Sequence, residues 1–212
     1  MIANALQTNL GLRAPPPQTG MPPLKKPCVV WFTGLSGAGK STLAAALKEA
    51  LDARGCPNTS LDGDALRCGL CSDLGFSEAD RRENIRRVAH VAGLMADAGM
   101  VVLVTLVSPL RASRDAARAL LAEHHHHEFL EVFVDAPLTV VQRRDTKGLY
   151  ARAGAGEDIQ LTGVQSPYEA PEAPELHIDS STCTPAQARD RLLDLLTARG
   201  VVSRQARLFR FD

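Results

Sequence analysis

The sequence predicts an α/β fold, a mostly parallel sheet with helices on both faces. Three observations carry this. Short apolar runs of strand length alternate along the chain with longer stretches of helical period. The runs at Cys28–Thr33, Met100–Val107 and Phe129–Val134 are nearly continuous in apolar character, as strands buried on both faces are. Apolar residues make up 45% and charged residues 23% of the 212, an ordinary composition for a chain that buries a full core.

Taken in order, residues 1–26 are rich in proline and poor in apolar period, and are expected to form a disordered leader ending in Lys25 and Lys26. One domain is expected over 27–199, followed by a tail over 200–212. Cys28–Thr33 is the first strand. Ser41 to Arg54 has helical spacing and is stopped by Gly55 and Pro57. A weaker strand, Thr59–Leu61, runs into Asp62-Gly63-Asp64. Ser77 and Asp80 resemble a capping box opening a helix to about Ala98, with Ile85, Val88, Ala89, Ala92 and Met95 as its apolar stripe. Met100–Val107 is the strongest strand, Arg111–Glu123 a helix, and Phe129–Val134 a further buried strand. Pro137 is expected at the first position of a short helix. Glycine, proline and charge interrupt every period over 144–174, which predicts a long lid. Glu175–Asp179 is a late strand. Thr184 caps a last helix with Pro185 in its first turn, running to about Ala198.

Charge and cysteine content exclude several functions. Lysine and arginine total 24 against 24 acidic residues, so there is no basic surplus for a nucleic-acid module. No eighteen apolar residues run together, which excludes a membrane span. The first residues lack the basic and apolar regions of a secretory signal. Five cysteines are an odd and sparse set, which points to reduced thiols in the cytoplasm. Cys68 and Cys71 have a suggestive spacing, but no second pair completes a zinc site.

The chemistry starts at Gly34-Leu35-Ser36-Gly37-Ala38-Gly39-Lys40-Ser41, which fits G-x-x-x-x-G-K-[ST] and lies between a buried strand and a helix. Glycines let backbone N–H groups turn inward around phosphate oxygens, and the helix N-terminus adds partial positive charge. Lys40 then reaches the outer phosphates, and the Ser41 hydroxyl can coordinate magnesium. Thr42 continues the helix start. The fold is therefore a P-loop NTPase-like three-layer sandwich, and the chain binds a nucleoside triphosphate.

Further base-reading and switch elements of a GTPase are absent. The second strand instead ends in Asp62 and Asp64, at the carboxyl edge where open α/β sheets bind ligands. On extended backbone the two carboxylates point to one side. One can hold magnesium through water, the role assigned to Asp62 beside Ser41, while the other orients an attacking hydroxyl. The bland alternative is an acidic turn that caps the next segment. Arg81 and Asn84 share a helix face and, with Arg67, can grip an anion. Phe76 suits base stacking or a hydrophobic staple. These features favour a small-molecule kinase.

The strings Leu61–Arg67, Asp73–Ser77, Asp80–Arg87, Val107-Ser108-Pro109, Glu131–Leu138, Arg144–Tyr150, Thr162-Gly163 and Ser166–Leu176 together resemble the adenylylsulfate kinases (APS kinases) over about residues 27–198. The resemblance implies transfer of the γ-phosphoryl of ATP, with Mg²⁺, to the ribose 3′-hydroxyl of adenosine 5′-phosphosulfate (APS), giving PAPS and ADP in sulfate assimilation. It places Asp64, Arg67, Phe76, Arg81, Asn84, Val107, Ser108, Lys147, Leu161 and Thr162 against the acceptor, and Arg144 and Cys183 near the ATP base. Lys40, Asp62, Asp64 and Ser108 become the candidate catalytic residues. Ser108 matches a serine described in parts of the family as a phosphorylated intermediate, but in-line transfer needs no covalent step, so a positioning contact is favoured. A homodimer and coupling to an ATP sulfurylase are also implied.

Where the family usually carries an aromatic against the adenine, this chain has Leu161. Its usual lid arginine falls on Gly154, with Arg152 two residues earlier, and Leu106 and Leu110 replace common aromatics. His124–His127 reads as a solvated loop rather than a metal tract. Two other readings stay open: a P-loop kinase for a different hydroxyl, and a non-catalytic nucleotide sensor. The second expects damage to Lys40, Ser41, Asp62 or Asp64, and all four are present.

Overall fold

The computed structural model describes residues 26–157 and 161–203. The expected leader lies outside them up to residue 25, as do residues 158–160 of the expected lid and residues 204–212 of the tail. Five strands form one sheet: β1 Cys28–Thr33, β2 Asn58–Asp62, β3 Val101–Thr105, β4 Glu128–Asp135 and β5 Leu176–Asp179. Their spatial order is β2-β3-β1-β4-β5, and every pairing is parallel. Val30 at the centre sits opposite Leu103 on one side and Leu130 on the other.

Parallel neighbours need crossovers, and helices supply them. They are α1 Lys40–Asp52, α2 Gly63–Arg67, α3 Glu78–Asp97, α4 Arg111–Leu120, α5 Leu138–Arg144, α6 Leu149–Gly154 and α7 Pro185–Ala198. Alternation along β1 divides the core. Cys28, Val30 and Phe32 pack with Leu43, Leu47, Leu51, Leu192 and Leu196 of α1 and α7. Val29 and Trp31 pack with Ile85, Val88, Ala92 and Ala117 of α3 and α4. The strands are apolar on both sides because helices cover both sides. Caps fix the helix entries: Ser77 Oγ accepts from the Asp80 N–H at 3.1 Å, and Thr184 and Gln187 form a reciprocal capping box before α7.

Five expectations need correction. Asp62-Gly63-Asp64 is not extended, because Asp62 ends β2 and caps the one-turn helix α2, accepting from the Asp64 N–H at 3.0 Å. Pro137 has extended ψ and precedes α5 rather than opening it, so the missing N–H falls just outside the helix. The helix from Arg111 ends at Leu120 and continues as a π-helical turn, Leu121–His125, closed by left-handed His126. The histidine run is only half solvated. His124 and His126 are exposed, but His125 Nδ1 and His127 Nε2 lie 2.7 and 2.9 Å from the two Asp97 carboxylate oxygens. The His125 ring also lies so close to Gly93 that a Cβ there would meet it at 2.3 Å. Finally, the stretch 144–174 is not all loop, since it contains α6 and buries Leu161 and Thr162.

Candidate active site

A cleft of about 560 Å³ opens at the carboxyl ends of β1, β2 and β3. Gly34 turns the chain out of β1 at φ 144°, where a Cβ would lie 2.2 Å from the Val134 carbonyl oxygen, so only glycine fits. Left-handed Gly39 then leads into α1, with no side chain capping its N-terminal N–H groups. Ser36 to Thr42 line the cleft, whereas Gly34 and Leu35 do not. Their carbonyls instead accept from Lys40 Nζ at 2.9 and 2.8 Å. Burial, with Lys147 adding repulsion, pulls the Lys40 ammonium down to about 7, against the pull of Asp62 and Asp64.

Asp62 both caps and builds the site. Its Oδ2 accepts from Ser41 Oγ at 2.8 Å and from Thr105 Oγ1 at 2.7 Å. Burial pushes this carboxyl up, but the bonds from Thr105, Ser41 and the Asp64 N–H outweigh it and hold the group below its usual range. A hydroxyl and a carboxylate, side by side at the phosphate cradle, are the hard oxygen donors magnesium takes alongside substrate phosphates. The arrangement thus fits Mg²⁺ held by Ser41 and Asp62. No group of three or more His, Cys, Asp or Glu that could hold a metal occurs among the described residues. Asp64, two residues further on in α2, is more exposed and forms an ion pair with Lys147 from the segment before α6.

Beyond the carboxylates the cleft changes character. Arg67, Phe76, Arg81, Asn84, Leu161 and Thr162 all line it, together with Val107 and Ser108. The staple reading of Phe76 fails, since the residue is 52% exposed and the Arg67 guanidinium carbon stands 4.2 Å from the centre of its ring. Arg81 donates to the Phe76 carbonyl at 2.9 Å and to Thr162 Oγ1 at 3.1 Å, tying α3 to the lid. Asn84 is buried, and its Nδ2 has no hydrogen-bond partner among the described residues. At the opposite end Arg144 donates to the Ser180 carbonyl at 2.6 Å and to its hydroxyl at 3.1 Å, with Cys183 alongside.

Every predicted residue except Gly34 and Leu35 therefore lines one continuous cleft. Sequence reasoning missed Thr105, which orients Asp62, and Ser180, which orients Arg144. A polar residue closing an apolar strand at its carboxyl end was the available signal for Thr105. Tyr150 was missed as well, and its hydroxyl donates to the Ser36 carbonyl at 3.0 Å, joining α6 to the cradle.

Known proteins share this arrangement over most of the chain. The adenylylsulphate kinase family signature matches residues 26–179. An adenylyl-sulfate kinase of Aeromonas hydrophila is 55% identical over 178 residues, spanning 84% of this chain and 89% of that protein. An APS kinase of Mycobacterium tuberculosis, solved with AMPPNP and APS, is 47% identical with a TM-score of 0.78, covering 82% of this chain and 99% of the other. A hexameric APS kinase from Thiobacillus denitrificans is 33% identical with a TM-score of 0.62, over 84% of this chain and 30% of the other. With a phosphate cradle, an acidic turn and an arginine–aromatic pocket in one cleft, and with these relatives, the chain belongs to the adenylylsulphate kinase family.

Proposed function

We infer that the protein phosphorylates the 3′-hydroxyl of APS with ATP, yielding PAPS and ADP in sulfate assimilation. The observation that carries this reading is the position of Asp62 and Asp64, between the phosphate cradle and the arginine–aromatic half of the same cleft. A donor phosphate on one side and an acceptor hydroxyl on the other meet at these carboxylates.

The residues then divide the work. Gly37 to Thr42 bind the ATP phosphates with backbone N–H groups, and Lys40 neutralises the migrating phosphoryl. Ser41 and Asp62 would hold Mg²⁺, which would supply neutralising charge to the phosphates. Asp64 accepts the proton of the 3′-hydroxyl as its oxygen bonds to phosphorus and the bond to the ADP oxygen breaks. Arg67, Arg81 and Lys147 draw in the anionic phosphosulfate, and Phe76 and Leu161 enclose the adenine. Asn84, Val107, Ser108 and Thr162 orient the acceptor, and Arg144 and Cys183 border the ATP base. Ser108 serves as a positioning residue, since its Oγ already accepts from Trp31 Nε1 at 3.1 Å.

A homodimer working with a separate ATP sulfurylase in the cytoplasm completes the proposal. All five cysteines are free thiols, as suits a reducing compartment, and no helix among the described residues is long and apolar enough to cross a membrane. The test is ADP release with saturating ATP and Mg²⁺, comparing APS with adenosine 5′-phosphate, nucleosides and sugars. Turnover should be specific to APS. Equal or faster turnover of a sugar or an unsulfated nucleoside would overturn the assignment.

A further inference from the structure

One buried cation outside the cleft contacts two segments that border it. Arg114 on α4 is 1% exposed, and its guanidinium points three ways. Nε donates to Glu131 Oε1 at 2.6 Å, Nη1 to the Ser108 carbonyl at 2.8 Å, and Nη2 to the Glu169 carbonyl at 2.8 Å. Glu131 supplies the countercharge, and the other two acceptors are backbone. Ser108 belongs to the turn after β3, and Glu169 to the segment that returns from the lid, where its N–H also donates to the Pro109 carbonyl at 2.9 Å.

The turn needs holding. Ser108 has φ 38°, the left-handed region that a residue with a Cβ adopts at a cost. Three side chains pin it from the core. Trp31 Nε1 bonds the Ser108 hydroxyl, Thr33 Oγ1 donates to the Val107 carbonyl at 2.8 Å, and Arg114 takes the Ser108 carbonyl. Of these, only Arg114 also reaches the lid return through a direct charge-assisted bond. Lysine cannot replace it, because a single ammonium on a flexible stem does not span three fixed directions.

We propose that Arg114 is a positioning residue for the acceptor: it locks the Val107–Ser108 turn in its left-handed form and joins it to the lid return at Glu169. The proposal rests on the acceptor lying against Val107 and Ser108, as read above. A purely structural arginine would lower stability and the folded fraction while leaving both substrates' KM unchanged. A positioning arginine moves the KM of APS and spares that of ATP, whose phosphates bind at Gly37–Thr42.

The experiment measures KM for APS and for ATP, kcat and Tm for the wild type, Arg114→Lys, Ser108→Gly and the double variant, corrected to the folded fraction by nucleotide binding. Arg114→Lys should raise the KM of APS tenfold or more and change that of ATP less than twofold. Glycine adopts φ 38° without a Cβ penalty, so on Ser108→Gly the same replacement should raise the KM of APS less than threefold. If the lysine variant does not fold, Arg114→Gln with Glu131→Gln removes both charges, so that neither is left buried and unpaired, and should show the same split. Equal shifts in both KM values, a loss of Tm alone, or an undiminished penalty on Ser108→Gly would overturn the assignment. Absence of APS turnover in the wild type would instead refute the acceptor reading, and Arg114 with it.

Discussion

Lys40 shows how a fold prepares a charge for one ligand. Buried against the Gly34 and Leu35 carbonyls, its ammonium is held near 7 rather than at its usual 10.5. A triphosphate brings negative charge to the same place and restores the proton. Between those two values nucleotide binding must therefore take up a proton, and affinity must fall as pH rises through that window. Calorimetry of AMPPNP binding at pH 8.5, in buffers of different ionisation heat, should report net proton uptake that Lys40→Met abolishes. A slope of zero in the wild type would sink the argument. Lys40→Ala should also cost ~3 kcal/mol or more of transition-state stabilisation, so a variant keeping a tenth of normal turnover would remove the residue from catalysis. Asp64→Asn preserves shape but accepts no proton, and should cut kcat strongly with nucleotide binding intact. Unchanged kcat would reduce Asp64 to a helix residue paired with Lys147.

At the scale of elements, the lid and α3 flank the proposed acceptor half of the cleft from two sides. Leu161, 5% exposed, faces the cleft from the lid, and Phe76 stands at the entrance to α3. Base–aromatic stacking is worth roughly 1–3 kcal/mol, and leucine keeps the apolar contact but lacks the π-face. Leu161→Phe should lower the KM of APS several-fold, and Phe76→Ala should raise it about tenfold, both with ATP parameters nearly unchanged. If neither moves the APS kinetics, the two residues do not clamp the adenine. The long elements and the cradle were legible in the sequence because their signals are local: the buried run of β1, the G-x-x-x-x-G-K-S spacing, and the Ser77 and Thr184 caps. α2 was not, because a five-residue helix is too short to show a period, so Gly63 and Asp64 read as a continuation of the extended strand. The half-buried histidine run was hidden too, since its partners, Asp97 and Gly93, lie about thirty residues away on α3. Thr105 was missed on the same grounds, meeting Asp62 only through the β2–β3 register.

Across the whole molecule, the far edge of the sheet is joined to the α4 face by charge rather than by apolar packing alone. Glu175, at the entry to β5, accepts from Arg118 at 2.7 and 3.0 Å and from the Glu131 N–H at 2.6 Å, while Glu131 is paired with buried Arg114. This network runs from β5 through β4 to α4, and so to the Val107–Ser108 turn at the proposed acceptor site. Burial pushes the Glu175 carboxyl up, but the Arg118 bonds and the Glu131 N–H more than offset it, leaving the group below its usual 4.5. A carboxyl depressed in the folded state contributes stability that is present above the unfolded value and lost as pH falls through the folded one. Glu175→Gln keeps the shape and one acceptor but removes the charge. The variant should therefore melt below the wild type at pH 7, and the gap in Tm should narrow as pH falls below 4.5 and close at lower pH. Thermal melts from pH 7 to pH 3 measure this directly. A gap that stays constant over that range would mean that Glu175 acts through packing alone and that its charge contributes nothing to the β5 edge.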